Sequence, residues 1–596
     1  MSSLDLAVIG NCNIAALINR RAELVWMCFP RLDGDPVFCS LIDQRLKASD
    51  GEGKFSIELT DMSTCEQFYL ENTAVFVSIL TDNEGNSVQI TDFAPRFQQF
   101  ERIFRPPAFI RRVVPLNGQP RIRVNVEPLF AWGSTKPAVT VGSNHLRYVG
   151  PSQTLRLTTD ISVSYVSEAR PFIVDRPVSF IFGADEALLA GIEQTSRDFL
   201  ERTTGHWQDW VRSLSIPFEW QGAVIRAAIA LKLCNYEETG AIVAALTTSI
   251  PEAPNTERNW DYRYCWLRDA YFVIHALNRL GVTRTMENYI SFIENVVRDS
   301  GLEQLQPLYG ISRNAVLEEK PAPSLKGYRG FGPVRIGNAA FSQRQNDVYG
   351  SVVLAVTHSF FDERLNRAGL PGLFSNLERL GETAIRLFDK PDAGLWEYRT
   401  RSAVHTFSSI MCWAACDRLA KIALTLNREE RSAYWRKAAA QIRETILRRA
   451  WNDEMNSFVA TFDGQDLDAS LLLIHGLDFL PPDDPRFVST VAAIDKNLRK
   501  NNLLIRYASE DDFGTPSTAF VTCTFWYIDA LYALGRKQEA RDLFDATLKL
   551  RNSFGLFSED VDLSTGELWG NFPQTYSLVG LINSAMRLSK SWENAF

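Results

Sequence analysis

An antiparallel β-sandwich followed by an (α/α)6 barrel is the architecture this sequence predicts, a multidomain β + α class, and three observations predict it. The chain has 596 residues, more than one compact core usually holds. Its first third is cut into short runs rich in Val, Ile, Thr and Phe, set between turn signals. From about residue 185 onward the apolar spacing changes to one near 3.6 residues and keeps that period to the end.

The strands come first, from Asp5 to about Phe182, separated by turns such as Asn11-Cys12-Asn13, Asp33-Gly34-Asp35 and Asn83-Glu84-Gly85-Asn86. Leu155 to Tyr165 alternates apolar and polar residues, which buries one face of a sheet and wets the other. A helical connector begins near Asp185, giving expected boundaries of 1–184 for the sandwich, 185–215 for the linker and 216–596 for the barrel. Helical periodicity then predicts about twelve helices, around residues 222–236, 268–280, 286–298, 345–361, 375–388, 407–425, 430–448, 468–477, 486–499, 518–534, 537–549 and 575–588. A dozen helices with alternating short and long loops fit six helical hairpins closed into a barrel. The long loops then gather at one mouth, where chemistry belongs.

Composition narrows the function. A net charge of −8 disfavours a nucleic-acid partner, because affinity for phosphate backbones comes from clustered Lys and Arg. No apolar run approaches the length of a transmembrane helix, so no membrane partner is expected. The amino terminus lacks a basic, uninterrupted secretory pattern, and the nine scattered cysteines read as reduced thiols, which together predict a cytoplasmic protein. The six histidines form neither H-E-x-x-H nor a zinc pattern, so neither metal nor cofactor is expected. The glycine-rich stretch 330–337 has the wrong spacing for a dinucleotide site and no P-loop Lys.

Three loops remain. Arg258 to Asp269 interleaves Trp260, Tyr262, Tyr264 and Trp266 with five charges just before a helix, the mixture that stacks on sugar rings and reads hydroxyls. An interface whose charges pair off would look the same. Pro391 to Arg399 sets Glu397 between Trp396 and Tyr398, where desolvation would keep a carboxyl protonated, unless Glu397 simply pairs with Arg399. Gly555 to Asp562 offers three competing acids, Glu559, Asp560 and Asp562, and position alone does not choose among them.

Taken together these loops resemble glycoside hydrolase family 15, the glucoamylases, glucodextranases and bacterial and archaeal trehalases. The resemblance extends to Leu6-Ala7-Val8-Ile9-Gly10-Asn11-Cys12, Trp26 to Asp33, Gly327-Tyr328-Arg329-Gly330 and Gly337 to Ala340. It implies that Arg268 and Asp269 hold hydroxyls of the terminal glucose, that Glu397 is the general acid and that Glu559 is the general base. It further implies that Tyr262, Trp266 and Trp396 are pocket aromatics and that Arg506 contacts substrate. The chain departs from family habit at Tyr576-Ser577-Leu578, Ser408-Ser409 and Gly514 to Ser517, which bear on the side of the pocket beyond the first glucose.

The implied reaction is exo-acting hydrolysis of an α-glucoside, with water as the second substrate and inversion at the anomeric carbon. Inversion needs two carboxyls about 6.5–9.5 Å apart, one protonating the leaving oxygen and one activating water. The expected division has Glu397 neutral in an aromatic setting and Glu559 ionised in a more polar one. Two rivals share the fold class: an inverting disaccharide phosphorylase, in which phosphate replaces the activated water, and a catalytically inactive carbohydrate-binding or regulatory module, in which the acid and base positions would be eroded.

Overall fold

The computed structural model describes residues 3–43, 52–300, 304–365 and 370–594. Two antiparallel sheets form the amino-terminal part, one of seven strands and one of eight. The larger runs, in spatial order, from Ala138–Val141 at one edge to Met62–Tyr69 at the other, with Val178–Ala184 and Ala108–Asn117 at its centre. The sheets face each other across an apolar core in which Phe38 meets Phe182 at 5.0 Å and Phe55 meets Phe109 at 6.0 Å, ring centre to ring centre. One charged pair is enclosed there: Arg111 bonds Asp92 at 2.7 Å and spends its remaining donors on the carbonyls of Phe55 and Ala22. Every charge taken from water is therefore matched.

The last strand of the sandwich ends at Ala184, and the connecting helix, Ile192–Arg212, begins later than the periodicity suggested. Among the described residues a helical element stands at each of the twelve expected places. Six pack side by side into a closed inner ring: Leu267–Arg279, Asp347–Thr357, Thr406–Thr425, the short turn Ala469–Gly476, Val521–Ala533 and Thr575–Leu588. Their partners, Gln221–Leu233, Thr283–Ser300, Leu370–Leu387, Glu429–Arg449, Pro485–Leu498 and Lys537–Leu548, stand outside. The sequence explains the sorting. Met411-Cys412-Trp413-Ala414-Ala415-Cys416 and Val521 to Ile528 are buried all round, as an inner helix must be, whereas Glu429–Arg449 buries only a stripe and leaves charge on the other side. The 469–476 element is a 3-10 turn running into one α-turn, so the full helix expected at 468–477 does not form there. Asp468 caps it, accepting from the Ser470 amide at 2.7 Å.

The sandwich also supports the barrel mouth. Trp26 donates its indole N–H to the Leu246 carbonyl at 2.8 Å. Arg263, fully buried, donates to the Gly34 carbonyl at 2.7 Å and closes a two-bond pair with Asp261. These bonds fix Tyr262 and Tyr264 on either side of Arg263.

Candidate active site

The amino-terminal ends of the inner helices meet at one pocket. Arg268 and Asp269 open the helix Leu267–Arg279, Asp347 opens the next, and Tyr576 sits in the first turn of the last. Helix amino termini present unpaired amides and a partial positive charge, so acidic side chains are stabilised there. Seven of the expected site residues line this pocket: Tyr262, Trp266, Arg268, Asp269, Trp396, Glu397 and Arg506. Glu559 lies directly behind its wall, joined to Tyr262.

Glu397 is held by an unusual backbone. Asp392 folds the preceding turn by accepting from the amides of Asn346 and Gly394 and from the Ser408 hydroxyl, with burial pushing its carboxyl up to about 7. Gly394 has φ +68 against the His405 ring, where a Cβ would stand 2.8 Å from it, so no larger residue fits. Glu397 itself has φ +62, a left-handed conformation that costs a non-glycine residue about 1–3 kcal/mol and collects at functional positions. Its Oε1 accepts from the Trp266 indole at 2.6 Å and from Gln345 at 3.1 Å, with an Arg268 nitrogen at 3.5 Å. Its side chain keeps 21 % exposure, and Oε2 accepts no bond among the described residues. One oxygen is thus anchored and the other is left unbonded. Pairing with Arg399 does not occur: that guanidinium bonds Glu319 at 2.7 and 2.9 Å and lies over Trp260.

The third loop sorts its acids by geometry. Asp562 turns outward and accepts from the Ser564 hydroxyl, which most lowers its carboxyl, and from the amides of Ser564 and Thr565, so it is a turn residue. Asp560 begins a strand paired with Thr518–Phe520 and Leu568–Trp569. Glu559, 1 % exposed, accepts from the Tyr262 hydroxyl at 2.6 Å. The polar setting expected for it is absent: the corner is dry and acidic. Burial, then the neighbouring Asp560 and Glu252, push its carboxyl well above the usual range, against the Tyr262 bond and the Arg506 charge. A carboxylate in a dry, acidic corner binds protons tightly, which makes it a stronger base once ionised.

Arg268 joins Glu397 to Asp269. It bonds Gln345 at 2.9 Å, reaches Asp347 and Glu397 at 3.5 Å and stands 3.4 Å from Asp269. Arg268 Nε and Asp269 Oδ1 face each other at 3.4 Å without a well-formed hydrogen bond, and the Tyr576 hydroxyl is buried without a hydrogen-bond partner. Such groups are costly unless a ligand completes them, and polar hydroxyls of a sugar would. Burial, reinforced by Glu397 and Asp347 against Arg268, pushes the Asp269 carboxyl up to about 7. Trp396 donates to Asp468 at 2.7 Å. Arg506 is buried beside Trp396, Tyr507 and Phe520 and bonded to Glu252.

Sequence reasoning missed Glu252, Gln345 and Asp347. Gln345 and Asp347 precede or open a helix, a position where polar residues serve as caps, and that hid their convergence on Arg268. Glu252 sits in Pro251-Glu252-Ala253-Pro254, which reads as a plain turn. Among the described residues no group of three or more His, Cys, Asp and Glu side chains is disposed to hold a metal ion.

Comparison with known proteins agrees with this geometry. Residues 220–586 match the family model for glycosyl hydrolases family 15, and residues 4–167 match that for the trehalase-like N-terminal domain. A trehalase from Thermoplasma volcanium is 31 % identical over 98 % of this chain and 93 % of its own. A trehalase from Mycobacterium tuberculosis is 31 % identical over 99 % of this chain and 90 % of its own. A bacterial glucoamylase complexed with acarbose shares the fold with a TM-score of 0.69 at 14 % identity, covering 98 % of this chain and 93 % of that one. With a sandwich set against a six-hairpin barrel, a carboxyl-lined pocket at its mouth and a family model matching more than half its length, the chain belongs to glycosyl hydrolase family 15 and is a glucose-releasing O-glycosyl hydrolase acting on α-glucosides.

Proposed function

We propose that the enzyme hydrolyses trehalose with inversion, Glu397 acting as general acid and Glu559 as general base. One observation carries this reading: the two glutamates are held by the two members of a single aromatic pair. Trp266 bonds Glu397 and Tyr262 bonds Glu559, each at 2.6 Å, while their rings meet edge-on at 5.4 Å. The Glu397 proton, carried on Oε2, passes to the departing glycosidic oxygen. Glu559 takes a proton from the water that attacks the opposite face, and its own charge stabilises the cationic ring between them. Arg268 and Asp269 hold the glucose whose anomeric bond breaks. A base held in this way supports hydrolysis over phosphorolysis, and an acid site kept at a strained backbone supports an active enzyme over an inactive module.

Trehalose is favoured because the named relatives are trehalases and because the mouth is bridged. Asp511 pairs with Arg258 at 2.5 and 2.8 Å, while Asp512 accepts from the Arg399 amide at 2.6 Å and from Thr400. This strap ties the two loops flanking the leaving-group side and suits a short substrate. A panel of trehalose, maltose, isomaltose and maltotriose, with product anomers followed by NMR, tests the reading: trehalose should be turned over fastest and β-glucose should appear first. A faster rate on maltotriose removes the substrate assignment, and α-glucose appearing first removes inversion. Because each step belongs to a side chain or water, exhaustive chelation should leave the rate unchanged; a loss reversed by one metal would overturn that. Nine cysteines without a disulfide fit action in a reducing compartment such as the cytoplasm, and no described helix is long and apolar enough to cross a membrane.

A further inference from the structure

Beside Glu559 lies a second buried acid that the reaction scheme leaves unused. Asp560 is 2 % exposed, and its Oδ1 accepts from the Thr518 hydroxyl at 2.9 Å. Its Oδ2 is buried without a hydrogen-bond partner, as is Oε2 of Glu559. Consecutive residues on a strand usually point to opposite faces. Here both orphaned oxygens face one place: a Cβ on Gly570 would stand 2.8 Å from Glu559 Oε2 and 3.3 Å from Asp560 Oδ2. Gly570, at φ +75, leaves that place open to the two carboxyls.

The charged and titratable groups around the pair are Glu252, Arg506, Arg258 and Tyr262. Arg506 is already bonded to Glu252, and Arg258 is already paired with Asp511. Negative charge is therefore in excess around the pair. Arg506 and Arg258 both favour the ionised form of Asp560, and Thr518 donates to it, whereas Glu559 has the Tyr262 bond and Arg506 alone. The two carboxyls titrate as a pair, and charge on Asp560 opposes the ionisation of Glu559.

We propose that Asp560 is a positioning residue that sets the proton affinity of the base: its carboxylate, converging with Glu559 on Gly570, makes Glu559 a stronger proton acceptor than it would be alone. The proposal rests on Glu559 being the base. Its consequence is kinetic, because a base of higher proton affinity takes the proton of the attacking water more readily, at the cost of working only at higher pH.

The test is the pH dependence of kcat/KM on α-glucosyl fluoride, whose leaving group needs little protonation, so that the acid limb reports the base. Asp560→Asn carries no charge, so Glu559 should lose its proton more easily and the limb should move to lower pH by about one unit, with a lower plateau. Asp560→Glu should restore the limb to within about half a unit of the wild type. A role confined to packing would lower the plateau and leave the limb where it was, and that result overturns the proposal. So does an Asp560→Glu limb displaced as far as that of Asp560→Asn. If Asp560→Asn does not fold, Thr518→Val tests the same point: without its donor Asp560 is less ionised, so the limb should move the same way by less, and an unmoved limb overturns the proposal. Glu559→Gln separates the two readings. If it keeps its turnover, the base assignment fails; if it is inactive and the Asp560→Asn limb is unmoved, this proposal alone fails.

Discussion

Glu397→Gln and Glu559→Gln should each cost about 10²–10⁴ in kcat on an unactivated disaccharide, and they should part company on α-glucosyl fluoride. In the proposed mechanism Glu397 lends its proton to a poor leaving group through Oε2 while Trp266 and Gln345 hold Oε1, so the Gln variant should keep the pocket's shape and lack only the proton. Fluoride leaves with little protonation, and much of the rate on that substrate should survive. Glu559→Gln should fail on both substrates, because water remains unactivated whichever group leaves. A small anion such as azide, placed where the activated water acts, should restore part of the turnover of Glu559→Gln and yield a β-glucosyl product. Equal losses for the two variants on fluoride would overturn the division of roles, and near-normal turnover by Glu559→Gln would remove the base.

Arg268 and Asp269 should show effects of similar size with opposite consequences for stability. Arg268→Ala removes the cation that faces Asp269, Asp347 and Glu397, so beyond an activity loss of about a thousandfold it should destabilise the fold by about 3–5 kcal/mol. Asp269→Asn should lose comparable activity, because the acceptor that matches a sugar hydroxyl is gone, yet it should gain stability at high pH. The Asp269 carboxyl ionises near 7 in the folded protein against an ordinary 3.8, so the folded state binds more protons between those values. Its contribution to stability is present at low pH and is lost as pH rises through the folded value. The melting temperature of Asp269→Asn relative to wild type should therefore climb between pH 5 and pH 8. A flat difference would show that Asp269 is not held in a protonated, desolvated state.

Much of this was legible because period and motif are local properties. The turn-punctuated strands, the change to helical spacing near residue 185 and the twelve helical stretches follow from which side chains recur on one face; the alternation of Leu155 to Tyr165 was read too far, since the strand ends at Thr159 and Val163–Ser167 is a short helix. One helix was overdrawn: the 468–477 stretch has helical apolar spacing, but Asp468 caps a tight 3-10 turn that gives way to a single α-turn. Within the motif loops the bland reading was right for some residues. Asp261 and Arg263 are spent on an ion pair and on the sandwich, while Arg258, Trp266, Arg268 and Asp269 line the pocket, Arg258 through its pair with Asp511.

The sequence by itself determined the elements and the family resemblance, since each depends on residues close together in the chain. Only the tertiary structure decided which acid of Glu559, Asp560 and Asp562 is bonded to a pocket residue, that Glu397 is bonded by Trp266 rather than by Arg399, and that Glu559 lies in an acidic, dry corner. Those outcomes depend on partners such as Tyr262, Glu252, Gln345 and Gly570, brought together from distant segments. The field and the dielectric at a carboxylate are sums over such neighbours, and spacing along a chain does not encode them.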